Sequence, residues 1–139
     1  MFNISELKNI TITEKEAQEI KDKKESANLK EELEKCRLKF IKYIEDQIII
    51  AMKRNKNEVG LNIYEITGTL KDTIAEIDKY DVELLLTYIH SPNNPACNPF
   101  TITIKEFAIS IREELIKGGI REIKDGKRWT GGNALYLVF

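Results

Sequence analysis

Residues 29–52 read LKEELEKCRLKFIKYIEDQIIIAM, and within them Leu29, Leu33, Cys36, Phe40, Ile44, Gln47, Ile48 and Ala51 recur three or four residues apart. Such spacing stacks side chains along one face of an α-helix. Between these positions stand Glu31, Glu32, Glu34, Lys35, Arg37, Lys39, Lys42 and Glu45, so the opposite face is charged and the apolar stripe needs a cover. The rest of the chain is expected to supply it.

The chain has 139 residues, of which 42% are hydrophobic, enough for one domain that hides roughly two thirds of its unfolded surface. We expect a single domain over residues 1–139, with residues 1–28 as a helical arm and 58–98 as an insertion. Twenty-two basic residues face 23 acidic ones, a formal net charge of −1, so no whole-molecule field draws the protein to nucleic acid and any basic site must be local. Cys36 lies on the helical stripe and Cys97 in a proline-rich loop, which favours free thiols in a reducing compartment over a disulfide. Met1 to Ile10 has neither a basic start nor an apolar run, and Ile48–Met52, the longest apolar run, is too short to span a bilayer. The expected setting is cytoplasmic, with no membrane contact.

Ahead of the central helix, Thr13 followed by Glu16 has the pattern of a capping box, placing a helix start near Glu14. From Glu19 to Lys30 the apolar positions thin to Ile20, Ala27 and Leu29, either a solvated helix or a frayed arm. A partner helix covering Ile20 and Leu29 would build a homo-oligomer there. Behind the central helix, Lys53-Arg54-Asn55-Lys56-Asn57 places cations and asparagines where a helix stops, and the same cations suit a phosphate, although termination explains them without a ligand.

Val59–Leu70 is expected as a short strand or a loop, and Lys71–His90 as a second helix broken near Tyr80-Asp81. All three prolines fall within Pro92–Pro99, which marks a loop. Phe100-Thr101-Ile102-Thr103-Ile104 alternates as a half-buried strand does, followed by a helix over Lys105–Lys117 stopped by Gly118-Gly119. Ile120–Lys124 and Ala134–Phe139 are expected strands, joined through an Asp125-Gly126 hairpin signal. The resulting fold class is α+β: a long amphipathic N-terminal helix packed on a small, mainly antiparallel sheet of Phe100–Ile104, Ile120–Lys124 and Ala134–Phe139, with further helices.

His90 is the only histidine, which excludes histidine dyads, and the two cysteines lack closely spaced partners for zinc. A Cys97–His90 nucleophile pair is a weak signal, and the adjacent carboxylates Glu31-Glu32 and Glu113-Glu114 diverge on helix faces. Gly118-Gly119 and Gly131-Gly132 fit neither a phosphate-cradling loop nor a dinucleotide fingerprint. What remains is Arg121, Lys127, Arg128, Trp129, Thr130, Asn133 and Tyr136 on or near the C-terminal hairpin. Cations beside the only tryptophan suit a phosphate and a stacked ring. A solvated, edge-protecting hairpin accounts for the same residues without a ligand.

Ile12-Thr13-Glu14-Lys15-Glu16-Ala17, the long helix behind it and the hairpin ending of Phe100–Phe139 resemble small uncharacterised proteins of Firmicute phages and prophages. The resemblance covers about the first fifty and last forty residues, brings no catalytic residues with it, and implies a phage-encoded product acting in a bacterial cytoplasm. The expected function is a non-enzymatic, cofactor-free binding protein that sequesters a small nucleotide-derived anion, such as a host immune signal. Two alternatives stand beside it: a winged-helix DNA binder with Lys105–Lys117 as recognition helix and the hairpin as wing, and a phage structural or scaffold protein.

Overall fold

The computed structural model describes residues 27–126 and 134–139 with their side chains, and gives residues 4–26 and 133 as parts of a helix and a strand. The elements in chain order are α1 (Ile4–Lys53), β1 (Glu58–Asn62), α2 (Ile63–Lys71), α3 (Lys79–His90), α4 (Pro99–Lys117), β2 (Glu122–Asp125) and β3 (Asn133–Val138). The architecture is α+β, with the long first helix packed against α4, α2 and β1. Helix α1 starts ahead of Thr13, so the expected start near Glu14 is replaced by one ten residues earlier.

The stripe from Leu33 through Cys36, Phe40 and Ile44 to Ala51 is buried, with Phe40 and Cys36 sealed at 0% exposure. Its cover comes from Ile66 and Leu70 on α2, Leu61 on β1, and Ile104, Phe107, Ala108 and Ile111 on α4, and Val82, Leu85 and Ile89 of α3 belong to the same continuous core. Arg37 fastens the α1–α4 contact. Its guanidinium bonds Glu34 at 3.0 Å and Ser110, approaches Glu114 at 3.4 Å, and lies 5.2 Å from the Phe107 ring centroid.

Phe100–Ile104 is not a strand but the first turns of α4. Its β-branched alternation resembles a strand locally, yet the preceding Asn98-Pro99 starts a helix. Asn98 Oδ1 accepts the Thr101 N–H at 2.9 Å while Thr101 Oγ1 accepts the Asn98 N–H at 3.1 Å, and proline sits at the first position, where its missing N–H costs nothing. Tertiary burial then selects the face Ile104, Phe107, Ala108, Ile111 and Leu115.

The third strand is instead β1, and the sheet order is β1-β3-β2, antiparallel throughout. The helix expected over Lys71–His90 with a break near Tyr80-Asp81 is also shortened: Lys71 closes α2, whose residues 63–70 fall in the stretch expected as a strand or loop, residues 72–78 form a connection, and α3 begins at Lys79 behind an Asp78–Asp81 capping box. The break lies before Tyr80-Asp81 because Asp78 caps the chain there. Leu135 and Leu137, both at 0% exposure, share the inward face of the sheet with Leu61, Val59 and Ile123.

Phe40 is the largest fully buried side chain among the described residues, so Phe40→Ala is expected to cost about 3–5 kcal/mol of unfolding free energy. Urea denaturation followed by circular dichroism measures this, and a loss under 1 kcal/mol contradicts the packing described.

Candidate functional site

Helix α1 ends where Asn55 adopts φ 57°, in the left-handed region that asparagine tolerates better than most residues. The Lys56 N–H reaches back to Ala51 O at 3.0 Å and the Asn55 N–H to Met52 O at 2.9 Å, the paired bonds of a Schellman stop. The same closure ends α4, with Gly119 at φ 110°, Ile120 N–H on Leu115 O at 3.0 Å and Gly119 N–H on Ile116 O at 3.1 Å. Gly118-Gly119 is thus a helix stop, as expected.

The α1 stop turns the chain directly into β1 and sets Arg54, Asn55, Lys56 and Asn57 beside the outward face of the sheet. A cleft of about 610 Å³ opens there, walled by Gln47 and Ile50 of α1, this turn, Glu58–Gly60 of β1 and Tyr136 of β3. Tyr136 is half-buried, opposite Gly60 on β1, which has no side chain, and Lys124 on β2. Lys124 Nζ lies 3.3 Å from Glu58 Oε1, which offsets the one carboxylate bordering the cleft. Arg54 and Lys56 are exposed and form no ion pair with any described residue.

Of the seven residues expected to form a site, Tyr136 alone has a described side chain in a cleft. Arg121 is exposed, and its backbone N–H donates to Val138 O at 2.7 Å, which places it at the far margin of the sheet. Lys127, Arg128, Trp129 and Thr130 lie outside the described residues, and Asn133 is given only as the first residue of β3. The residues sequence reasoning passed over are Arg54 and Lys56. Their signal was visible as a cationic cluster, but termination explained it fully. The structure adds what spacing alone does not contain, the proximity of that turn to a residue eighty positions later.

Other candidates resolve into structural roles. His90 Nδ1 pairs with Ser91 Oγ at 2.8 Å, and the Cys97 backbone N–H donates to Thr101 Oγ1 at 3.2 Å as part of the α4 start. Tyr43 Oη donates to Glu65 Oε2 at 2.8 Å and accepts the Asn62 N–H at 3.3 Å, tying α1 to the start of α2; burial first, then the Glu65 carboxylate, raises its phenol well above the ordinary range. Among the described residues no group of three or more His, Cys, Asp or Glu side chains is placed to hold a metal ion, and no helix is long and apolar enough to cross a membrane. No protein-family model matches the chain, and no curated protein or solved structure matches it.

The cleft can therefore neutralise a phosphate through Arg54 and Lys56, lay a ring against Tyr136, and offer Gln47, Asn55 and Asn57 amides to polar edges.

The two thiols should differ in reactivity. Cys36 is buried and burial raises its thiol pKa, whereas Cys97 is exposed. A thiol-reactive chromophore is expected to label one cysteine per native chain, Cys97, and both after denaturation. Rapid native labelling of Cys36 contradicts the core assignment.

Proposed function

We propose that the protein binds a small, phosphate-bearing, nucleotide-type ligand and holds it without transforming it. The observation that carries this reading is the cleft in which Arg54 and Lys56, free of ion pairs among the described residues, stand beside Tyr136. A charge-assisted hydrogen bond contributes roughly 1.5–3 kcal/mol against the roughly 8 kcal/mol of micromolar affinity, so two or three such contacts with one stacked ring approach that affinity only when the turn is already fixed. The Schellman closure supplies that fixity. It also occupies the Ala51 and Met52 carbonyls, which softens the negative end of α1 toward an anion. In a phage setting, such binding removes a host defence signal from the cytoplasm.

Thermal shift against mono-, di- and cyclic nucleotides tests the reading. At a hundredfold excess over Kd, linkage contributes about 2.7 kcal/mol, a rise in Tm on the order of 10 °C for a chain of this size. The rise is expected to vanish in Arg54→Ala/Lys56→Ala and to shrink in Tyr136→Ala, and heat denaturation should release the ligand intact. A chemically altered ligand, or no shift with any nucleotide, removes the proposal.

Duplex DNA binding is a second reading, favoured by one observation: a helix, β1, further helices, β2, a hairpin and β3 in a sheet of order β1-β3-β2 follow the winged-helix arrangement. The electrostatics of α4 oppose it. Its exposed positions are Ile102, Glu106, Glu113, Glu114, Ile116 and Lys117, while Lys105 Nζ donates to Asn94 O at 2.7 Å and Arg112 to Ile89 O at 2.6 Å. Any contact with a phosphate backbone would then rest on the hairpin alone, predominantly through phosphates and lost with rising salt. A gel shift that weakens steeply between 50 and 200 mM salt and disappears in Lys127→Ala/Arg128→Ala would establish this reading in place of the first.

A further inference from the structure

A second cleft, of about 480 Å³, opens between the described start of α1, the α2–α3 connection and the first turns of α4. We propose that it is a docking groove for a basic amphipathic helix of a partner protein. Its floor is apolar: Leu33, Ile77, Leu85 and Ile104 are buried beneath it, and Leu29 and Phe100 are half-buried in its walls. Its rim is acidic. Glu32, Glu76 and Asp81 border the opening, and among the described residues no lysine or arginine lines it.

Two lysines, on α3 and α4, are engaged with other groups. Lys79 reaches Glu83 at 3.9 Å and lies 5.1 Å from the Tyr64 ring centroid, and Lys105 is held by Asn94 O and lies 5.7 Å from the Tyr88 ring. Asp81 is fixed in position by the capping box, where its Oδ2 accepts the Asp78 N–H at 3.2 Å, and partial burial raises its carboxyl pKa. An apolar floor under an uncompensated acidic rim is complementary to a helix with apolar side chains at i, i+3, i+4 and i+7 and lysines or arginines along its flanks, whose alkyl stems cover apolar surface while their charges meet the rim.

Helical geometry follows from what borders the groove. Neither edge strand, β1 nor β2, reaches it, so an extended peptide would find no backbone ladder to join. The chain's own N-terminal segment is the wrong complement: residues 14–25 carry four lysines against five acids, which gives a second copy no net attraction to the rim. Leu29, the residue whose exposure on the sequence pattern called for a partner helix, forms one wall.

The test uses the full chain and two labelled model helices of equal length, one of leucine and lysine and one of leucine and glutamate, followed by fluorescence anisotropy. The leucine–lysine helix is expected to bind the native protein, and to bind at least tenfold more weakly in Glu32→Lys/Glu76→Lys and in Leu29→Glu, with circular dichroism melts verifying the fold of each variant. Equal binding of both helices, or binding unchanged by the charge reversal, overturns the proposal. Saturation of the groove by spermidine alone, with no competition from the helix, would assign it to a small organic cation and equally overturn it. So would a concentration-dependent self-association, seen by light scattering, that Glu32→Lys abolishes.

Discussion

Everything in the described domain depends on covering one helical stripe. Leu33, Cys36, Phe40, Ile44 and Ala51 present an apolar face that no single neighbour is wide enough to bury, and α4, α2 and β1 share the work along its length. Burial at roughly 25 cal/mol per Å² makes this the dominant favourable contribution, while directional contacts decide which neighbour sits where. Arg37 settles the α1–α4 contact through Glu34, Glu114, Ser110 and the Phe107 ring, and Tyr43 settles the approach of α2 through Glu65 and the Asn62 backbone.

The sheet is arranged around β3 in the same spirit. Its register pairs Leu137 with Val59 on one side and Ile123 on the other, so one face closes on the core while Tyr136, Lys124, Gly60 and Glu58 are left on the other. A register shift between Leu61 and Asn62 skips Ala134 of β3, and Asn62, paired with Asn133, caps α2 by accepting the Tyr64 N–H at 2.9 Å and the Glu65 N–H at 3.2 Å. The irregularity and the cap adjoin because Asn62 is both the last residue of β1, paired with Asn133, and the N-cap of α2.

The two clefts carry opposite charge and lie on different elements. One is cationic, at the C-terminal end of α1 against the sheet; the other is acidic, where the described part of α1 begins against α3 and α4. A net charge of −1 conceals this division, since it sums 22 basic and 23 acidic residues over the whole chain. Composition therefore constrains the average field of the molecule and leaves its local chemistry open.

The sequence by itself determined the central helix, its Asn55 stop, the Gly118-Gly119 stop, the proline loop, the β2 and β3 strands and the α+β class, because each rests on periodicity or on a residue with a strong local preference. It misjudged Phe100–Ile104, where alternating β-branched residues suggested a strand, while Asn98-Pro99 and the apolar face continuing through Phe107 and Ile111 favoured a helix. It left β1 ambiguous, because five residues with a central glycine become a strand only when β3 lies alongside. Only the tertiary structure decided the candidate sites: Arg54 and Tyr136, or Glu32, Glu76 and Asp81, are distant in the chain, and no local rule brings them together. Local chemistry chooses turns and helix ends, whereas proximity between distant residues is a property of how the core closes.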